Sequence, residues 1–127
     1  MTDTPRPEDK PWLANAETCR QLRLLCASKR TRTVVRGMGN HWEPWNVKDP
    51  ASGEYFDTES AWRFIHELLE QGVEVEEIEL DYPPSKKGYV LFHNGTGGQR
   101  IYIKLQFMGN LVGGRSFHIS DEKSRIR

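Results

Sequence analysis

The sequence predicts an α+β domain, with N-terminal helices packed on one face of a small antiparallel sheet that ends in a three-stranded C-terminal meander. Three observations carry this. Two segments before Gly72 repeat apolar residues at helical spacing. The last third alternates apolar and polar residues in three runs separated by turn signals. The order is helix, strand, helix, then consecutive strands, which places helices against an antiparallel sheet. The 127 residues suffice for one domain. A chain of this size buries roughly two-thirds of its unfolded surface and folds without staples.

The elements follow in order. Residues 1–14, with Pro5, Pro7 and Pro11 among charges, read as a flexible leader. Residues 15–120 form the domain, and 121–127 a charged tail. Asn15 or Glu17 starts a helix that runs to about Ala27, with Cys19, Leu22, Leu25 and Cys26 on its buried stripe. Residues 31–36 (TRTVVR) are short, β-branched and strand-like. Residues 37–55 read as a loop, with Pro44, Pro50 and the turn signal around Gly53; Trp42 and Trp45 there are expected to cover the edge of the core. Asp57 or Thr58 caps the clearest helix, which stops at Gly72 and buries Ala61, Phe64, Ile65, Leu68 and Leu69. Residues 73–80 read as a strand or a short helical turn. Strands at 88–93, 100–108 and 111–120 complete the meander, joined at 94–98 and at Gly109-Asn110.

Composition excludes several classes. No apolar run approaches the roughly 20 residues of a membrane span. The first ten residues are polar, so no secretory signal is expected, and the chain reads as cytoplasmic. Cys19 and Cys26 are seven apart on one helix face, too far for a disulfide, and read as buried thiols in a reducing compartment. No metal or other cofactor is expected. The four histidines lack ligand spacing, and His41-Trp42-Glu43 carries the H-x-E triplet of zinc deaminases without the P-C-x-x-C that should follow.

The formal net charge is zero, but it is distributed in blocks. Residues 1–42 hold eight basic and four acidic side chains, 43–81 two and twelve, and 82–127 eight and two, giving +4, −10 and +6. A polyanion would therefore dock on the C-terminal sheet, away from the acidic central segment.

That sheet also carries the richest chemistry. One strand offers Tyr102, Lys104 and Gln106; the next offers Arg115, Ser116, His118 and Ser120; Lys86, Lys87, Tyr89 and His93 lie upstream. A two-residue loop at Gly109-Asn110 pairs Lys104 with Arg115, and a three-residue loop pairs Tyr102 with His118. Gly113-Gly114 can host a bulge that changes the parity. A face holding Lys, Arg, Tyr and His has the groups to cleave an RNA phosphodiester: a base for the ribose 2′-OH, a cation for the phosphate and an acid for the leaving oxygen. The same residues also fit an ordinary solvated sheet face.

The run Ile101-Tyr102-Ile103-Lys104-Leu105, a short turn, then Ser116-Phe117-His118 resembles the end of MqsR-type toxins, within the RelE-like mRNA interferases of bacterial toxin–antitoxin systems. The pattern covers about 20 residues, extending to about 40 if residues 81–92 align. The resemblance implies a RelE-like fold, an endoribonuclease activity and an antitoxin partner. It matches the family tyrosine to Tyr102, the family's C-terminal lysine to His118, and a lysine before the sheet to Lys86 or Lys87. Tyr89 and His93 lie near the expected place of a family glutamine, and Arg115 has the character of the arginine that related toxins use to hold phosphate. Two departures stand out. Those toxins are basic whereas this chain is neutral, and residues before the second helix have no counterpart.

These readings converge on a metal-independent RNA endonuclease. Tyr102, His118, Lys104 and Arg115 would be catalytic, with Lys86, Lys87, Tyr89, His93 and Ser116 binding substrate. RNA and an antitoxin are the expected partners, with ribosome association and a homodimer left open and no membrane. Two alternatives accompany it. One is a non-catalytic immunity or regulatory module using the acidic 67–81 segment. The other is a sequence-tolerant RNA binder using the basic 20–36 segment with Trp42 and Trp45.

Overall fold

Helix α1 spans Ala16–Cys26 and is capped by Asn15, whose side-chain oxygen accepts a hydrogen bond from the Thr18 backbone N–H at 2.8 Å. Such a cap contributes about 1 kcal/mol. Leu22 and Cys26 are buried on its inner face, with Cys19 and Leu25 half-buried beside them. Helix α2 spans Thr58–Glu70. Asp57 accepts from the Ser60 N–H at 2.7 Å, and Ser60 Oγ accepts from the Asp57 N–H at 2.9 Å. Serine thus stands in the capping box where glutamate or glutamine is usual. Gly72 ends the helix in the left-handed conformation, at φ 80°. The buried stripe contains the expected Ala61, Ile65, Leu68 and Leu69, joined by Trp62. The computed structural model describes residues 10–37, 39–95 and 98–120.

Six strands form one mixed sheet. They are β1 Arg32–Val34, β2 His41–Trp42, β3 Glu76–Glu79, β4 Lys87–Asn94, β5 Arg100–Met108 and β6 Leu111–Ser120. The order is β1-β6-β5-β4-β3, and β2 also pairs with β6. Strands β4 to β6 form the expected antiparallel meander, residues 76–79 resolve the open choice as a strand antiparallel to β4, and both helices pack on one face. The core there is built from Leu22, Ala61, Trp62, Ile65 and Leu68 against Leu91, Ile101, Ile103, Leu105 and Phe117. Phe117 is fully buried, its ring edge-on to Trp42 and Phe56 at 5.7 and 5.0 Å between centroids.

Three features depart from expectation. The sheet is not purely antiparallel, because β1 and β2 run parallel to β6. No hairpin ties these early strands to their distant partner, so no turn imposes the antiparallel direction. The segment 37–55 is more than a loop. It contains β2, a 3-10 turn at Pro44–Asn46 and the buried Trp42, Pro44 and Val47. A two-residue strand has no periodicity to read. Trp42 joins the core while Trp45 is exposed.

Finally, residues 10–14 of the expected leader lie along β3. Lys10 pairs with Glu74 at 3.0 Å, the Trp12 carbonyl accepts from the Glu77 N–H at 2.7 Å, and the Ala14 N–H donates to Val75 at 2.8 Å. Residues 1–9 of the leader and the tail 121–127 fall outside the described residues.

Candidate functional site

The site begins with a register shift. Gly109, at φ 62°, and Asn110 form a two-residue turn that pairs Met108 with Leu111. Carried straight on, this register would set Lys104 opposite Arg115. Instead Leu105 faces Gly114 and Lys104 faces Ser116, leaving Arg115 as the extra residue of a bulge. Tyr102 therefore faces His118. The tight turn and the Tyr102–His118 pairing, alternatives in the sequence, coexist because of the bulge. The edge opposite breaks at the same place: β1 ends opposite Gly114 and β2 begins opposite Ser116.

The face turned away from the helices is lined along β5 by Arg100, Tyr102, Lys104 and Gln106, which alternate with the buried Ile101, Ile103 and Leu105. Across it runs a row of rings from four strands. Phe92 meets Tyr102 at 5.4 Å between centroids, and Tyr102 stacks on His118 at 5.1 Å and 28°. His118 meets the edge of His41 at 5.8 Å. The Arg100 guanidinium lies 4.3 Å from the centre of the Phe92 ring. His118 Nδ1 is 2.9 Å from the Ile119 carbonyl oxygen. A carbonyl only accepts, so Nδ1 is the donor of that bond.

The cations behave differently from one another. Lys104 is half-buried. Burial lowers its pKa, the Arg115 charge lowers it further, and Asp81 opposes both. Arg115 is 5% exposed. It donates through Nη1 to Gln106 Oε1 and through Nη2 to the Tyr82 carbonyl, both at 2.7 Å. Burial lowers its pKa as well. Arg115 therefore fastens the segment after β3 onto the sheet. Ser116 is buried too, and its Oγ receives the His41 backbone N–H at 3.4 Å.

The remaining candidates lie elsewhere. Lys86 is exposed in the connection before β4, where its carbonyl accepts from the Leu80 N–H at 2.8 Å. Lys87, Tyr89 and His93 alternate along β4 with residues of the polar face, so they sit on the helix side. Lys87 is paired with Glu77 at 2.8 Å. Tyr89 is buried against Phe107, and burial raises its pKa. His93 packs edge-on to Phe64 at 5.2 Å and lines a cavity of about 230 Å³ with Asp49, Glu67 and Gln71. The structure thus brings Tyr102, Lys104 and His118 together, with Ser116 and Arg115 beneath, and sets these other four apart.

It adds Phe92 and Arg100, which the sequence did not single out, and His41, which the sequence offered only within the H-x-E triplet of a zinc site. Arg100 was readable from its alternation with Tyr102 and Lys104. His41 gave no periodic signal, since its strand has two residues. Among the described residues, no three His, Cys, Asp or Glu side chains are arranged to hold a metal ion, and no helix is long and apolar enough to cross a membrane. In comparisons with known proteins, no family model, curated protein or solved structure matches the chain.

Proposed function

We propose that this chain is a metal-independent RNA endonuclease of the RelE/MqsR toxin type, restrained by an antitoxin in a reducing cytoplasm. The observation that supports it is the stack of Tyr102 on His118, with Lys104 on the neighbouring residue pair of the same face. His118 Nε2 accepts the proton of a ribose 2′-OH, and the oxygen attacks the adjacent phosphorus. Lys104 faces the charge that grows on the phosphate. Its ammonium is partly desolvated, so an anion placed beside it is held more strongly than one in water. Tyr102, stacked on His118, holds the imidazole plane. Arg115 acts from below, keeping Gln106 and the Tyr82 carbonyl in place. Cys19 and Cys26 are free thiols, in keeping with a reducing compartment.

The experiment is incubation of RNA with purified protein in EDTA. The wild type should cleave, and His118→Ala should lower the rate by about 10²–10⁴-fold, the usual worth of a positioned proton-transfer group. RNA left intact by excess wild-type protein that binds it overturns the proposal. That result would favour a second reading, RNA binding without cleavage. The Phe92–Tyr102 row with Arg100 over Phe92 supports that reading, because aromatic platforms flanked by cations hold unpaired bases.

A further inference from the structure

We propose that His41 is the second proton-transfer residue of this face, the general acid that protonates the leaving 5′-oxygen. The inference rests on the ribonuclease reading and deepens it. Three observations place His41 there. Strand β2 is held in register, with His41 opposite Ser116 and Trp42 opposite Phe117. Trp42 is the anchor: it is 6% exposed, and its ring packs on Trp62 at 5.1 Å between centroids. Neighbouring residues of a strand point to opposite faces, so burying Trp42 turns His41 onto the polar face. There its ring is exposed and meets the His118 ring edge-on at 5.8 Å.

Two imidazoles side by side supply what transesterification needs. One must arrive neutral and the other protonated, and imidazole is the side chain that offers both forms near neutrality. The 2′-O–H bond breaks and its proton passes to His118 Nε2. The 2′-oxygen bonds to phosphorus, the P–O5′ bond breaks, and the 5′-oxygen takes the proton of the His41 imidazolium. The products are a 2′,3′-cyclic phosphate and a 5′-hydroxyl, and the two histidines have exchanged protonation states. Tyr102, stacked on the other side of His118, is left to position the base.

The test compares two RNA substrates, one ordinary and one with sulfur bridging at the scissile 5′ position, whose thiolate leaves without a proton. His41→Ala should slow the ordinary substrate by about 10²–10³-fold and cleave the sulfur-bridged one at close to the wild-type rate. His118→Ala should be slow on both. His41→Gln, which keeps size and polarity, should repeat the His41→Ala pattern, and thermal melting should show both variants folded. Ordinary cleavage unchanged in His41→Ala, or equal slowing on both substrates, overturns the role of His41 while leaving the ribonuclease reading intact. Sulfur rescue of His118→Ala in place of His41→Ala overturns the assignment of acid and base. Wild-type protein that cleaves neither substrate overturns the ribonuclease reading itself, and this inference with it.

Discussion

The two faces of one sheet are made from alternating residues of the same strands, yet they do different work. On the helix face Ile101, Ile103, Leu105 and Phe117 are buried to 1% exposure or less. On the other face Tyr102, Lys104 and His118 are only half-buried and meet rings and cations from neighbouring strands. The helix face holds the fold, because removing apolar area from water is the dominant stabilising term. On the polar face Arg115 and Ser116 are buried in support, and Tyr102, Lys104 and His118 are left partly open to carry chemistry. The single extra residue at Arg115 keeps both assignments consistent, since without it the residues of β6 beyond Gly114 would exchange faces.

The largest effect expected is on the helix face. Phe117→Ala should cost about 3–5 kcal/mol by chemical denaturation, as buried aromatic truncations do. Its neighbour His118→Ala should stay within about 1 kcal/mol. Equal losses at the two positions would break the contrast. Next comes the bulged residue, whose guanidinium bonds to Gln106 of the polar face. Arg115→Met removes two charge-assisted hydrogen bonds and should cost about 2–3 kcal/mol. It should also speed hydrogen exchange in the segment 80–86, which Arg115 ties down through Tyr82.

The smallest effect lies at the edge of the core. Hydrogen bonds from the backbone and side chain of Ser60 hold the Asp57 carboxyl below its usual value of 3.8. A lowered carboxylate pKa stabilises the fold above that usual value, and the contribution is lost as pH falls through the lowered one. Asp57→Ala should therefore melt below the wild type at neutral pH, by less than Arg115→Met, and the gap should narrow below about pH 3.8. A gap that stays constant into strong acid would show that the cap does not act through its charge.

Much of the helix face was legible in the sequence, and less of the polar one. Strands β5 and β6 fall where the alternation of Ile101, Ile103, Leu105 and Phe107 set them, and α2 where Asp57 and Gly72 bounded it. The parity of β4 was not legible. Nothing local shows which of Val90 and Tyr89 turns inward, so Tyr89 and His93 were grouped with Tyr102 although they lie on the other face. His41 was legible only as part of an H-x-E triplet; its place beside His118 was out of reach because its contacts are with Ser116 and His118, 75 and more residues away. The glycine pair ahead of Arg115 pointed to a bulge, but its placement depended on the edge strand breaking at the same level.

The central claim is that the polar face cleaves RNA by attack of the 2′-oxygen. The most direct measurement is mass spectrometry of the ends produced from a defined RNA by purified protein in EDTA. A 2′,3′-cyclic phosphate paired with a 5′-hydroxyl, lost in His118→Ala, is the predicted result. A 3′-hydroxyl with a 5′-phosphate, or no cleavage at enzyme excess, would contradict it.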